Sequence, residues 1–188
     1  IPEYGNDVIT TIEREEKASI VLKDSLDAPA GISVFNKEMA IADFYNHRVL
    51  YSNNGEEYIS IGSEGKHEGE FYYPTDVQIT SNKIYVADAY NHRVQVFDKE
   101  GNYLQMIGVE QNMNASTGLF IAAEELFVTD FENDRILVFE LDGNFKQELN
   151  DHIEKPTDMI VANGNLYVIN YRNGKLNVFQ LKEEAKPE

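Results

Sequence analysis

The amino-acid sequence predicts an all-β propeller of four-stranded antiparallel blades. Three observations carry this expectation: one motif recurs four times, a second anchor precedes every copy by a fixed distance, and no segment shows helical periodicity. The motif reads AIADFYNHRVL over residues 40–50, YVADAYNHRVQV over 85–96, FVTDFENDRILV over 127–138 and YVINYRNGKLNV over 167–178. Its anchors Asp43, Asp88, Asp130 and Asn170 lie 45, 42 and 40 residues apart. Pro29, Pro74, Ser116 and Pro156 each stand 14 residues earlier. A constant interval inside a drifting period marks a rigid core, with the length variation pushed into the connections. A period of 40–45 residues with four short strands is the propeller signature, whereas ankyrin, TPR and HEAT arrays need helices.

Each copy resolves into the same elements. Strand A covers residues 31–34, 76–79, 118–121 and 158–161, and strand B covers 39–42, 84–87, 126–129 and 166–169. Both are almost continuously apolar, as sheets covered on both faces require. Strand C follows the Asn-x-Arg corner at 49–51, 94–97, 136–139 and 176–179. Turns ending in Gly55, Gly101 and Gly143 place glycine where positive φ is cheap, and each leads to a strand D, as over residues 101–107. One domain is expected over 1–188: a closing strand and linker at 1–27, then repeats at about 28–62, 73–108, 115–149 and 155–181.

Charge limits the partners. Asp and Glu total 33 against 16 Lys and Arg, a net charge of −17. Nucleic-acid binding draws its affinity from basic residues meeting phosphates, so a polyanion is disfavoured, as is an anionic membrane surface. No apolar run approaches the about 18 residues of a membrane span. The absence of cysteine excludes disulfides, thiol catalysis and zinc–thiolate sites.

The Asn-His-Arg-Val cores at 46–49 and 91–94, the Ala-Asp pairs before them, and Gly69-Glu70-Phe71-Tyr72-Tyr73-Pro74 ahead of a strand resemble the NHL repeat family. The resemblance spans roughly residues 28–181. Copies 1 and 2 match closely, copy 3 keeps Asn133-Asp134-Arg135, and copy 4 drifts to Asn173-Gly174-Lys175. It implies a propeller, most often six-bladed, that binds proteins, RNA or small ligands; some relatives carry enzymatic sites in the channel. The zinc-holding histidines of the lyase branch have no counterpart, since strand A begins with Ala30-Gly31, Thr75-Asp76, Thr117-Gly118 and Thr157-Asp158. Lactonase-type relatives bind a channel metal through Glu, Asn and Asp, and Asp76 and Asp158 are what this chain offers to such a site.

Residues 1–6 align with 97–102, so the chain is expected to begin at the end of a strand C and to form a strand D over 7–12. Copy 4 stops near residue 181 without a strand D. The N-terminal strand is thus expected to complete the fourth blade and hide both sheet edges, with Ser19-Ile20-Val21-Leu22 as the other donor. The matched ends favour a complete four-bladed ring, and the family's usual blade count favours an arc of a larger one. Strand exchange between two chains would give a homodimer.

Asp43, Asp88 and Asp130, with Asn170, read as turn residues accepting backbone N–H groups in their own blades rather than as shared cation ligands. His47 and His92 recur with the repeat and read as packing residues. Arg48, Arg93, Arg135 and Lys175 are expected to pair with an acid near the corner. His67 and His152 fall in connections, and no HExxH, P-loop, GxSxG or GxGxxG motif is present. In propellers the D–A and B–C connections emerge on one side. Here they carry Phe44, Tyr45, Phe71, Tyr72, Tyr73, Tyr90, Phe131 and Tyr171, and aromatics among polar groups are what interfaces favour.

The function expected is therefore a non-catalytic binding or scaffold module for a protein or peptide partner, with no catalytic residue and no cofactor. Its binding residues are expected to be Tyr45, Tyr72, Tyr90, Phe131, Tyr171, Asp76 and Asp158. The alternative is a metal-dependent lactonase, hydrolase or lyase with a divalent cation in the channel near Asp76 and Asp158. A third reading is a structural segment of a larger assembly.

Overall fold

The 14-residue interval is the A–B hairpin. In this computed structural model, which describes residues 1–13, 16–20, 22 and 25–181, Pro29 pairs directly with Asp43, Pro74 with Asp88 and Pro156 with Asn170. A one-residue bulge follows each pair, between Pro29 and Gly31, Pro74 and Asp76, and Pro156 and Asp158. Proline has no N–H to give a ladder and is tolerated at the first residue of a strand or beside a bulge. That explains proline as the anchor of these three copies.

The fold is an all-β propeller of five antiparallel sheets, distributed over two compact units, Ile1–Ser116 and Thr117–Glu188. The first unit holds three blades. Strands β1 (Pro2–Glu3), β2 (Val8–Glu13) and β3 (Glu16–Ser19) form the first. The second comprises β4 (Pro29–Phe35), β5 (Glu38–Asp43), β6 (Arg48–Ser52) and β7 (Ile59–Ile61), and the third β8 (Pro74–Ile79), β9 (Ile84–Asp88), β10 (Arg93–Phe97) and β11 (Tyr103–Ile107). Side chains of β5 alternate between two cores. Ala40 and Ala42, with Val49 and Tyr51 of β6, pack on Val77, Ile79, Ile84 and Val86 of the third blade. Ile41 and Leu50 face the other way, onto Ile9 and Leu26. Covering on both faces is why these strands read as unbroken apolar runs.

The second unit repeats the arrangement. Strands β12 (Ser116–Ala122), β13 (Glu125–Asp130), β14 (Arg135–Glu140) and β15 (Phe145–Leu149) form one blade, and β16 (Pro156–Ala162), β17 (Asn165–Asn170) and β18 (Lys175–Gln180) another. Phe127, Ile136 and Val138 pack on Met159, Leu166 and Val168. Ile136 and Val138 occupy the repeat positions of Val49 and Tyr51, so blades pack in the same register within each unit.

The blade number differs from the expectation of four. The alignment of residues 1–6 with 97–102 is out of register, misled by the Gly-Asn pair shared by the two segments. Glu3 pairs with Val8 and Pro2 with Ile9, just as Asp43 pairs with Arg48 and Ala42 with Val49. Residues 3–8 are therefore a B–C corner, with Glu3 in the place of Asp43 and Asp7 in that of His47. Glu for Asp and Val for Arg had erased the motif. Strand β2 is a strand C paired on both sides within its own blade, so it does not complete the fourth copy, and it is no longer a spare strand for exchange between chains. Among the described residues the last blade has three strands. Of the other donor segment, Ser19 lies in β3, Ile20 donates its N–H to the Ile9 carbonyl at 2.9 Å, and Val21 lies outside the described residues.

Candidate functional site

The buried corners set the stage. Asp43, Asp88 and Asp130 have no solvent exposure. Asp88 accepts the Tyr72 N–H at 2.8 Å, Asn91 Nδ2 at 2.9 Å, Arg93 Nε at 2.7 Å and Gln95 Nε2 at 3.0 Å. Asp43 accepts the Asp27 N–H at 2.8 Å, Asn46 Nδ2 at 2.9 Å and Arg48 Nε at 2.7 Å. Asp130 takes Asn133 Nδ2 at 2.9 Å and Arg135 Nε at 2.7 Å, and Asn170 accepts the Glu154 N–H at 3.0 Å. The donors are each carboxylate's own B–C turn and, for Asp43 and Asp88, the connection leading into the same blade. The guanidiniums reach on to the preceding connection: Arg93 Nη2 donates to the His67 and Glu70 carbonyls at 2.8 and 3.0 Å, and Arg48 Nη2 to that of Ser25 at 3.0 Å. In this way the D–A connection is bound to the B–C turn, and both carry aromatic residues.

One position in each turn sits in the left-handed region and accepts the first amide of the next blade. Asp7 (φ 56°), His47 (51°), His92 (58°) and Asp134 (56°) occupy it. They accept the N–H groups of Ala28, Tyr73, Ala115 and Lys155 at 2.8, 3.1, 3.1 and 2.8 Å. Asn, Asp and His are the side chains that best tolerate positive φ, and Asp and His add an acceptor. Repeat histidines at 47 and 92 are therefore structural acceptors.

On the first unit these turns bring six rings into one contiguous group. Phe44 stacks on Tyr73 at 4.8 Å, and Tyr45 lies edge-on to Phe44 at 5.0 Å. Tyr73 contacts Tyr72 at 4.6 Å and Tyr90 at 5.1 Å, and Tyr4 reaches both Phe44 and Tyr45 at 6.0 Å. Tyr4 is 50% exposed, Tyr45 48% and Tyr90 57%, so the group is a surface and not a core. The expected residues Tyr45, Tyr72 and Tyr90 meet here. Tyr4 carries no recognisable motif around it, because Glu3 and Val8 stand where the other corners have Asp and Arg; the Asn6-Asp7 pair is the signal that marks this corner. A hydrogen bond with the Tyr45 side chain, then lost hydration, pushes the Tyr4 phenol up to about 12.

On the second unit Phe131 and Tyr171 lie 6.2 Å apart. Lys155 Nζ stands over the Phe131 ring at 5.4 Å and is held by Glu132 at 2.8 Å. An open hollow is lined by these aromatics with Lys155 and Arg172. Asp76 Oδ1 accepts the Val77 N–H at 2.8 Å, and Asp158 Oδ1 the Met159 N–H at 2.8 Å. Asp158 is open on one side, yet crowding of its carboxyl by the surrounding chain raises its proton affinity against the pull of the Met159 amide. No group of three or more His, Asp or Glu side chains able to hold a metal occurs among the described residues. No helix among them is long and apolar enough to cross a membrane.

Residues 71–97 match the NHL repeat family model. No curated protein matches the chain by sequence. Among solved structures, a chain of a nidogen/laminin complex aligns with a TM-score of 0.71 at 18% identity, over 88% of this chain and 64% of that one. A catalytically inactive virginiamycin B lyase from Staphylococcus aureus with quinupristin gives 0.69 at 13% identity, over 96% and 65%. The computationally designed Ika4 protein gives 0.67 at 14%, over 86% and 96%. At these identities the likeness is one of fold. The chain spans less than two thirds of the nidogen/laminin and lyase chains.

Proposed function

We propose that this propeller chain, which carries an NHL repeat at residues 71–97, is a binding module whose first unit engages a protein or peptide partner through its aromatic face. The observation that supports this reading is the contiguity of Tyr4, Phe44, Tyr45, Tyr72, Tyr73 and Tyr90, drawn from three blades, with three of the rings about half exposed. Tyrosine supplies large contact area at low conformational cost and keeps a polar tip for hydrogen bonds. The rings are fixed by backbone pairs as well: the Tyr45 N–H donates to the Asp27 carbonyl at 3.1 Å and the Tyr90 N–H to that of Tyr72 at 3.2 Å. A preorganised aromatic surface loses little entropy on binding. A chain of the nidogen/laminin complex shares the fold, which is compatible with such a role.

The test is selection of peptides from a random display library on the full chain, followed by affinity measurement on Tyr45→Ala/Tyr90→Ala. Selected peptides are expected to bind the double variant about tenfold more weakly or worse, the scale of truncated interface tyrosines. Equal affinity for the two chains rejects the aromatic face as the binding surface.

A channel enzyme is the second reading. It is favoured by the raised proton affinity of Asp158 and by the fold shared with the lyase. A divalent cation bound near Asp76 or Asp158 would raise the melting temperature by mass action, so a melt unchanged by chelator, with no metal in the purified protein, counts against it.

A further inference from the structure

We infer that the aromatic face of the first unit receives a basic side chain, an arginine or lysine of a peptide partner, over the rings of Tyr45, Tyr73 and Tyr90. The inference rests on the binding reading above and names the chemistry of the partner.

The second unit shows what this corner accommodates. There Lys155, the residue before the strand A anchor, places its ammonium over Phe131, the residue after the corner carboxylate. The same two repeat positions in the first unit are Tyr73 and Phe44, stacked at 4.8 Å. Where the second unit supplies a cation from its own chain, the first presents a further ring. The ammonium of Lys155 is also held by a carboxylate, Glu132, at 2.8 Å.

Two exposed carboxylates border the face in the first unit: Asp27, whose carbonyl accepts the Tyr45 N–H at 3.1 Å, and Glu64, which is bridged to Phe71 beside Tyr72. Arg48, the cation nearest the Asp43 corner, is engaged by Asp43 and by the Ser25 carbonyl beneath the face. The charge of −17 draws a basic segment toward the molecule, and the ring faces then hold its cations by their quadrupoles. Arginine fits best, because its planar guanidinium stacks on tyrosine while its edge still reaches a carboxylate.

The probe is a fluorescent peptide of arginines spaced by glycine and serine. Its twin carries citrulline, which keeps the shape and removes the charge; a third carries lysine. Binding to the full chain is followed by anisotropy at physiological ionic strength. The arginine peptide is expected to bind at least about fivefold more tightly than the citrulline twin, with lysine between them. Tyr45→Leu/Tyr90→Leu is expected to weaken the arginine peptide by about fivefold or more. Asp27→Asn/Glu64→Gln, which alters no ring, is expected to weaken it by about threefold or more. Glu56→Gln/Glu57→Gln removes equal charge at the far end of β6 and is expected to change affinity by less than about twofold.

An equal loss in the Glu56/Glu57 control reduces the effect to bulk charge and overturns the inference, as does no binding of any of the three peptides. If library-selected peptides lose affinity on the tyrosine variant yet carry no arginine or lysine, the binding face stands and the cationic partner is wrong. If they are indifferent to the tyrosines, both readings fall.

Discussion

The Nδ1 atom of His47 accepts the backbone N–H of Tyr73 at 3.1 Å while the His47 ring lies nearly parallel to that of Tyr72, 5.4 Å away. One side chain thus ties the corner of the second blade to the entry of the third and fixes the two central tyrosines of the face. The left-handed backbone at residue 47 and the acceptor are both needed. His47→Ala is expected to cost about 2 kcal/mol, from the strained backbone and the orphaned amide together. His47→Asp should keep most of the stability, because Asp7 and Asp134 do the same work at the matching positions. Thermal melts of the two variants check this; equal melting temperatures would contradict it.

Asp88 accepts from the Tyr72 amide and from the side chains of Asn91, Arg93 and Gln95. Asp88→Asn leaves the buried Arg93 guanidinium without its counter-charge and is expected to cost about 3 kcal/mol, visible in urea denaturation. The fourth copy carries Asn170 at this position, and its partner position holds Lys175, which is exposed and needs no buried counter-charge. The expectation is therefore specific to copies that bury an arginine.

Gly31 and Gly118 stand where strand A of one blade meets strand A of the next. A Cβ on Gly31 would lie 2.7 Å from the Asp76 Cα and 2.9 Å from the Thr75 carbonyl oxygen. On Gly118 it would lie 2.8 Å from the Thr157 oxygen and 3.1 Å from the Asp158 Cα. These are backbone atoms, so the blades themselves must separate. Alanine at either site is expected to destabilise by about 1–3 kcal/mol, and an unchanged melt would show that the inner strands are further apart.

Tyr4 is expected to titrate at about 12, raised from an ordinary 10.0. The folded chain holds the phenol proton more tightly than the unfolded chain. Its contribution to stability is therefore intact below pH 10.0 and is lost as pH rises toward 12. Tyrosinate absorbance in a pH titration measures this. Tyr45→Phe removes the hydroxyl that is the main cause and should return Tyr4 toward the usual value; no change would place the cause elsewhere.

Repeat, period and hairpin were legible because they follow from local rules. The interval from Pro29 to Asp43 is a pairing register, and a pairing register leaves a constant number in the sequence. The first blade was not legible as a blade because Glu3 and Val8 replace the two residues that make the motif recognisable. The geometry survives there because Asn6 still donates to Glu3 at 2.7 Å and Asp7 still adopts positive φ. The aromatic residues of the face were visible as types in connections. Their contact depended on how far each connection turns back, which is set by buried bonds such as Arg93 to the His67 and Glu70 carbonyls. No sequence pattern announces such bonds to main-chain oxygens.

The most direct test of the binding face is a nuclear magnetic resonance titration with tyrosine rings labelled selectively and a library-selected peptide added to the full chain. The ring signals of Tyr4, Tyr45, Tyr73 and Tyr90 are expected to shift together and saturate at one concentration, with those of Tyr51 and Tyr103, at the opposite ends of the strands, unmoved. Shifts at Tyr51 and Tyr103 with the four face tyrosines silent would contradict the account.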